Sequence, residues 1–318
     1  NMNSAQNFQQ YFRYSNLTDQ FEVYTPTEGG NYTSSTLMIK TAFANSGNYS
    51  SNDSPIFNQM MENRHIIADR IGKNNPQWID HVNQYIFDTV AGSYFPRGYN
   101  ALSADVLLYS FLAAYTGKDA NTISLTPFTK FPLPNWTVSY NGLTNIPAIG
   151  AIFKTINLTH AYKSTYTISN WVSNVNYNPN NTIQMYENSD IIIPKYDLGQ
   201  VVLTEQFMPL IGVDLGFQNS LTCNVQYKQS RTLTMSFSNN QLTEVEGNEI
   251  VVGAGYRIKN LTFNIVSLSG NKNKKTVKND LVLKLDIGFK RDKTTLRRVD
   301  ENSSQVSSGQ SKMNIYLT

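Results

Sequence analysis

The sequence predicts a mainly β chain, of the antiparallel transmembrane β-barrel kind, interrupted by a small helical insertion. Three observations predict it. Charged residues make up only 15% of the 318 residues while aromatics reach 12% and asparagine is abundant, a polar but uncharged mixture that suits sheets rich in Thr, Asn and Tyr. From Pro134 onward apolar and polar residues alternate, the mark of strands with one oily and one wet face. Between residues 54 and 117 the spacing instead approaches 3.6 residues.

The first 50 residues mix Tyr, Phe, Thr and Asn, and short alternating stretches over 8–14 and 37–43 read as strands of the barrel or as an extramembrane loop. Residues 51–132 read as the helical insertion. Ser54-Pro55 supplies a cap and an N1 proline, and Ile56, Phe57, Met60, Met61, Ile67 and Ile71 follow at helical spacing up to Gly72. Asn75-Pro76 opens a second predicted helix through Trp78, Ile79, Val82, Ile86 and Val90 to Gly92. Ser103 and Asp105 open a third, ending at Gly117.

Residues 133–318 read as consecutive antiparallel strands. Ile156, Leu158, His160, Tyr162, Tyr166 and Ile168 share one parity, and Cys223, Val225, Tyr227, Leu233, Met235 and Phe237 another. A two-residue hairpin at Gln229-Ser230 would reverse the outward parity, so its survival predicts one long strand. Ile250, Val252, Ala254, Tyr256 and Ile258 alternate until the phase slips near Asn260, which predicts a bulge or turn. Leu281, Leu283, Leu285, Ile287 and Phe289 give the cleanest alternation, and Met313, Ile315 and Leu317 start a last strand. Lys272, Lys274, Lys275 and Lys278 read as a solvated hairpin loop.

Little in the sequence carries bond-making chemistry. His65, His81 and His160 are far apart, with no metal-binding spacing, and His160 reads as a satisfied imidazole on an apolar face. No cofactor is expected. The single cysteine, Cys223, excludes an intrachain disulfide framework. Gly253-Ala254-Gly255 sits inside an alternating strand, where small residues admit a neighbouring side chain rather than a phosphate. Basic residues are too diffuse for a nucleic-acid groove. Glu205 stands out because Val201, Leu203, Phe207, Ile211, Val213 and Leu215 share its parity. A carboxylate on such a face needs a partner, and Arg231 or Arg257 is the candidate for a structural ion pair or gate. The stretch with no run of eighteen apolar residues excludes a transmembrane helix but not strands that cross in about 9–11 residues.

Several strings resemble the SprA/Sov-type outer-membrane translocon of the Bacteroidetes type IX secretion system. They include Phe111-Leu112-Ala113-Ala114-Tyr115-Thr116-Gly117, Pro134-Asn135-Trp136, Thr159-His160-Ala161-Tyr162-Lys163, Glu205-Gln206-Phe207-Met208-Pro209-Leu210-Ile211-Gly212-Val213-Asp214, Gly255-Tyr256-Arg257 and Arg297-Arg298-Val299-Asp300. The resemblance covers roughly residues 105–301 and is weak before residue 50. It implies the C-terminal portion of a longer chain, forming an arc of a very large barrel whose remaining strands lie elsewhere. It also implies a passive protein-conducting pore in the outer membrane, not an enzyme. Its expected partners are secreted cargo with a C-terminal secretion domain, a PorV-type shuttle barrel at a lateral opening, a plug protein and outer-membrane lipid, with no nucleic acid. Thr222, Asn224, Gln226, Lys228, Lys284 and Asp286 are the candidates for its lumen side.

Two other readings compete. A surface β-sandwich module binding glycan or protein would have strands nearer five or six residues and would bury its apolar face on a second sheet. Another large outer-membrane transport barrel would need a constriction-loop charge ladder or a plug domain.

Overall fold

A computed structural model describes residues 2–10, 12–15, 19–23, 27–42, 54–74, 85–177, 192–266 and 274–318. The chain is mainly β. Its early strands are β1 (Met2–Gln9), β2 (Phe12–Ser15), β3 (Gln20–Val23) and β4 (Thr27–Ser35). The helical region contains α1 (Pro55–Asn74), a hairpin of β5 (Tyr85–Asp88) and β6 (Ser93–Pro96), and α2 (Ala104–Thr116). Then come β7 (Trp136–Tyr140), a short α3 (Pro147–Gly150), β8 (Phe153–Ser173), β9 (Tyr196–Phe217) and β10 (Leu221–Ser236). The last strands are β11 (Gln241–Val266), β12 (Lys274–Arg298) and β13 (Ser303–Leu317).

One antiparallel sheet runs in the order β1-β4-β8-β9-β10-β11-β12-β13, with β7 also on β8. Its outer strands, β1 and β13, do not pair with each other among the described residues, so the sheet is open. The hairpin predicted against at Gln229-Ser230 is absent, and β10 pairs on both sides along its length apart from a bulge between Tyr227 and Gln229. The expected irregularity near Asn260 appears as a register shift between Ile258 and Leu261, with Asn260 at φ 58°.

Strands β4 and β7 run in the same direction along one edge of β8. The first pairs with the Thr165 to Val172 part and the second with the Leu158 to Tyr162 part. They are two pieces of one strand, and residues 36–135 leave and re-enter the sheet between them. Hydrogen bonds close the join: Leu133 N–H donates to the Ser35 carbonyl at 3.0 Å, and Thr36 N–H to the Ser164 carbonyl at 3.1 Å.

The inserted module folds over the sheet. Ser54 caps α1 through Oγ, which accepts from Phe57 N–H at 3.3 Å. In α2, Gly117 turns left-handed at φ 65°, and Lys118 N–H reaches the Ala113 carbonyl at 3.0 Å, which ends the helix in a Schellman turn. Ile56, Phe57, Met60 and Ile67 of α1 and Leu107, Leu108, Phe111 and Tyr115 of α2 pack on Tyr166, Ile168, Leu203, Leu233, Met235 and Leu242 of the sheet. Asn170, at φ 55°, lies where the β4–β8 register steps from Tyr32↔Ile168 to Gly30↔Trp171, while the β9 pairing continues in register on either side of it. That step turns Trp171 into the core, edge-on to Phe128 and Tyr196.

Several expectations are corrected. Residues 37–43 do not form a strand: Ile39–Thr41 is a 3-10 turn under the module, and Phe43 lies outside the described residues. The predicted second helix also fails where it is described, since Ile86 belongs to a hairpin turned by Gly92 at φ 64°, and residues 75–84 lie outside the described residues. Apolar spacing in Ile86 and Val90 fitted a helix only by borrowing positions from the preceding segment. Helix α1 runs two residues past Gly72. Lys274, Lys275 and Lys278 lie in β12, paired with β11, rather than in a hairpin loop, while Lys272 lies outside the described residues.

Asp105 opens α2 partly buried, and burial followed by the nearby Asp197 carboxylate raises its pKa to about 6. A folded pKa above the ordinary value of 3.8 means that ionisation weakens the fold, progressively from about pH 4 to pH 6. Asp105→Asn should therefore raise the thermal midpoint at pH 7.5 and leave it unchanged at pH 4; an equal effect at both would refute this assignment. On β9, Leu203 is fully buried beneath the module while Ile211, of the same parity, is 61% exposed. Leu203→Ala should lower urea stability by about 2–5 kcal/mol and Ile211→Ala in detergent by under about 0.5 kcal/mol.

Candidate functional site

The module covers only part of the face on which it lies. Beyond it, the same parity continues as an uncovered apolar band: Ile211, Val225, Val252, Leu285 and Ile315 are aliphatic, and Val225 and Val252 are each 44% exposed. Register confirms that these positions share a face, as Val225 opposes Val213 and Val252, and Val252 opposes Ile287. Aromatic residues bound the band. Near the module stand Trp136 stacked on Tyr162 at 4.6 Å, Phe207, Tyr227 and Phe289. Toward the opposite strand ends stand Tyr140, Phe153 beside Phe217 at 4.8 Å, and Tyr256. Along β9, Phe207 to Phe217 spans about 34 Å at ~3.4 Å per residue.

The other face of the same strands is polar. Thr222, Asn224, Gln226 and Lys228 alternate with the apolar residues of β10, and Gly255 and Gly253 connect the first two to Lys284 and Asp286 across β11. All six predicted residues therefore share one face. The glycines make room for them: a Cβ on Gly253 would collide with Oδ1 of both Asn224 and Asp286, and one on Gly255 with Thr222 Oγ1. Lys228 lies 3.7 Å from Glu249, so charge on this face is partly compensated.

Between the covered and bare parts of the apolar face runs a belt of buried ions. Glu205 accepts a hydrogen bond from the Tyr162 hydroxyl at 2.9 Å and stands opposite Arg231 in the β9–β10 register. Arg231 gives its strong pairing to Glu244, at 2.8 Å, and donates to the Thr41 carbonyl at 3.1 Å beneath the module. Glu244 also holds Arg297 at 2.9 Å. The guanidinium groups lie over the rings of Tyr115 and Phe57, at 5.3 and 5.6 Å. Burial, and next the Glu244 carboxylate, pushes the Tyr115 phenol well above its ordinary pKa, so it stays neutral. The belt is a structural clamp between strand and module, with every ion dependent on its neighbours.

Of the two proposed partners of Glu205, Arg231 is brought beside it and Arg257 is not. Arg257 has the opposite parity on β11 and pairs with Asp280 at 2.6 Å near the far strand ends. Glu244 and Arg297 were missed, although both signals were legible. Glu244 and Glu246 share the even parity of Ile250 and Val252, and Arg297 the odd parity of Leu281 to Phe289. Each strand simply begins or ends further out than its most apolar stretch suggests. His160 Nδ1 donates to the Leu210 carbonyl at 2.7 Å, a structural role. His65 stacks on Phe95 and lies 2.9 Å from Ser93 Oγ, while His81 lies outside the described residues. Among the described residues, no group of three His, Cys, Asp or Glu side chains is placed to hold a metal.

No family model and no curated protein matches this chain.

Removing one member of a buried pair leaves its partner uncompensated. Arg231→Met should therefore lower urea stability by about 3–5 kcal/mol, and Glu205→Leu, which removes only the acceptor of the Tyr162 hydroxyl, by about 1–3 kcal/mol. Comparable losses in unfolding midpoints would contradict the unequal pairing.

Proposed function

We propose that this chain forms part of the wall of a large outer-membrane β-barrel that conducts folded proteins, of the SprA/Sov type. The observation that carries the reading is the two-sided exposure of β8 to β13 beyond the ion belt. One side is a bare aliphatic band framed by aromatic residues, and the other is polar with little net charge. An aqueous monomer rarely leaves so continuous an apolar surface uncovered. A barrel wall requires it, because hydrocarbon lies on one side and water on the other. The height of the band suits the ~30 Å hydrocarbon core once strands tilt. The open sheet is consistent with an arc rather than a closed small barrel.

In this reading Thr222, Asn224, Gln226, Lys228, Lys284 and Asp286 line the lumen. A Thr- and Asn-rich lining gives varied cargo few charges to bind, and the chain's own chemistry is passage rather than bond cleavage. The strings resembling the secretion translocon add the class of cargo, the PorV-type shuttle and the plug protein as proposed partners. Strands as long as the 26 residues of β11 disfavour a sandwich module, whose strands are typically near five or six residues.

The test uses the protein in its own host. Val252→Arg places a charge in the apolar band and should cost about 2–4 kcal/mol of membrane stability, sharply lowering outer-membrane levels and leaving cargo in the periplasm. Asn224→Arg, on the proposed lumen face, should insert normally. Equal insertion of both variants, or recovery of the native chain in the soluble fraction, would sink the barrel reading. Normal insertion of the native chain, together with unimpaired cargo export in a strain that lacks it, would sink the conduit alone.

A further inference from the structure

The parity that defines the bare band also carries the module. Leu203 and Ile211 of β9, Leu233 and Val225 of β10, and Leu242 and Val252 of β11 are pairs on one face, the first of each beneath the helices and the second exposed. The medium that meets the band therefore lies on the module's side of the sheet, not on the side of Thr222 to Asp286. The edge of the module nearest the band is held to its aromatic row. The 3-10 turn Ile39–Thr41 follows Met38, whose N–H donates to Tyr162 Oη at 3.0 Å, and ends at Thr41, whose carbonyl accepts from Arg231. It thus crosses from β8 to β10, about 10 Å at ~4.8 Å per strand, along the line where Trp136, Tyr162 and Phe207 begin the band. Helix α2 comes down to the same line: the Tyr115 carbonyl accepts from Thr41 Oγ1, and a Cβ on Gly117 would lie 2.8 Å from Lys40 Cβ. Ile39 is 44% exposed, and Lys40 and, one residue past Gly117, Lys118 are exposed as well. The neighbouring acid, Asp119, is turned to the N–H groups of Asn121 at 2.9 Å.

We propose that the helical module is a collar on the outside of the barrel wall, seated on the membrane with Ile39, Lys40 and Lys118 in the lipid headgroup layer. The inference rests on the barrel reading and adds the position of the module to it. The rim is continuous with the band, so the lipid that covers the band ends against the module. In a barrel wall the aromatic row marks the level of the headgroups, and Ile39 follows the residue bonded to one of those rings. Its side chain reaches the acyl boundary, while the two ammonium groups lie among the phosphates, with their apolar stems along the protein. A module outside the wall leaves the passage clear: it braces the strand ends and does not plug the lumen.

The experiment places a photoreactive benzophenone amino acid in the full-length protein in its own host, in turn at Ile39, Val252, Tyr94 and Asn224, and identifies the adducts formed on irradiation by mass spectrometry. Lipid adducts are expected at Val252 and Ile39. None is expected at Asn224 on the polar face, or at Tyr94, which is 63% exposed on the hairpin at the opposite end of α2. Lys40→Glu combined with Lys118→Glu should lower the lipid adduct at Ile39 several-fold and leave that at Val252 unchanged; an unchanged Ile39 adduct overturns the part given to the lysines. Absence of a lipid adduct at Val252, or an equal one at Asn224, defeats the barrel reading itself. A lipid adduct at Val252 with none at Ile39, with a protein adduct at Ile39 in its place, or with an equal lipid adduct at Tyr94, defeats the seated rim and leaves the barrel standing.

Discussion

Side chains alternate along a strand, so a strand that presents oil at one end presents it on the same face at the other unless a bulge intervenes. That constraint governs this molecule. Strands β8 to β12 carry their apolar parity well past the area that the helical module covers, and the bulge between Tyr227 and Gln229 preserves it, whereas at Asn170 the buried parity passes from Ile168 to Trp171. The covered part becomes a core closed by Trp171, Phe111 and Leu233. The bare part has nothing of this chain over it among the described residues. Hydrocarbon is the environment in which such a face carries no penalty.

The ion belt makes sense against the same constraint. At the level where the module ends, the apolar face of the sheet passes from covered to bare, and the chain must close the module's edge without leaving its backbone exposed. Arg231 does this from the sheet by reaching the Thr41 carbonyl and the Tyr115 ring, and Glu244 balances it while holding Arg297. Such a network adds little net stability relative to apolar packing. It does fix where the module stops, because its charges tolerate only one arrangement of their partners.

Most of the strand architecture was legible because parity is local: the uninterrupted β10, the slip at Asn260 and the shared face of Thr222 to Asp286 each follow from alternation alone. The helices with a clear cap, Ser54 and Gly117, were legible for the same reason. What failed depended on distant contacts. The hairpin of β5 and β6 and the 3-10 turn at Ile39–Thr41 are short segments held against the module. Arg257 and Arg231 look alike in sequence, yet one residue's parity puts them on opposite faces. The lysines of β12 read as a loop by polarity, whereas pairing with β11 decides otherwise.

The division of one strand into β4 and β7 also orders events during synthesis. The first half emerges before the helices, already able to pair with β1, and the second after them, and the neighbour they share, β8, appears later still. The two halves can be aligned only when β8 serves as a shared template, so this part of the sheet matures late. A nascent chain would therefore carry the helices ahead of the long strands on which their apolar faces are buried, so the core between them closes only once those strands have been made.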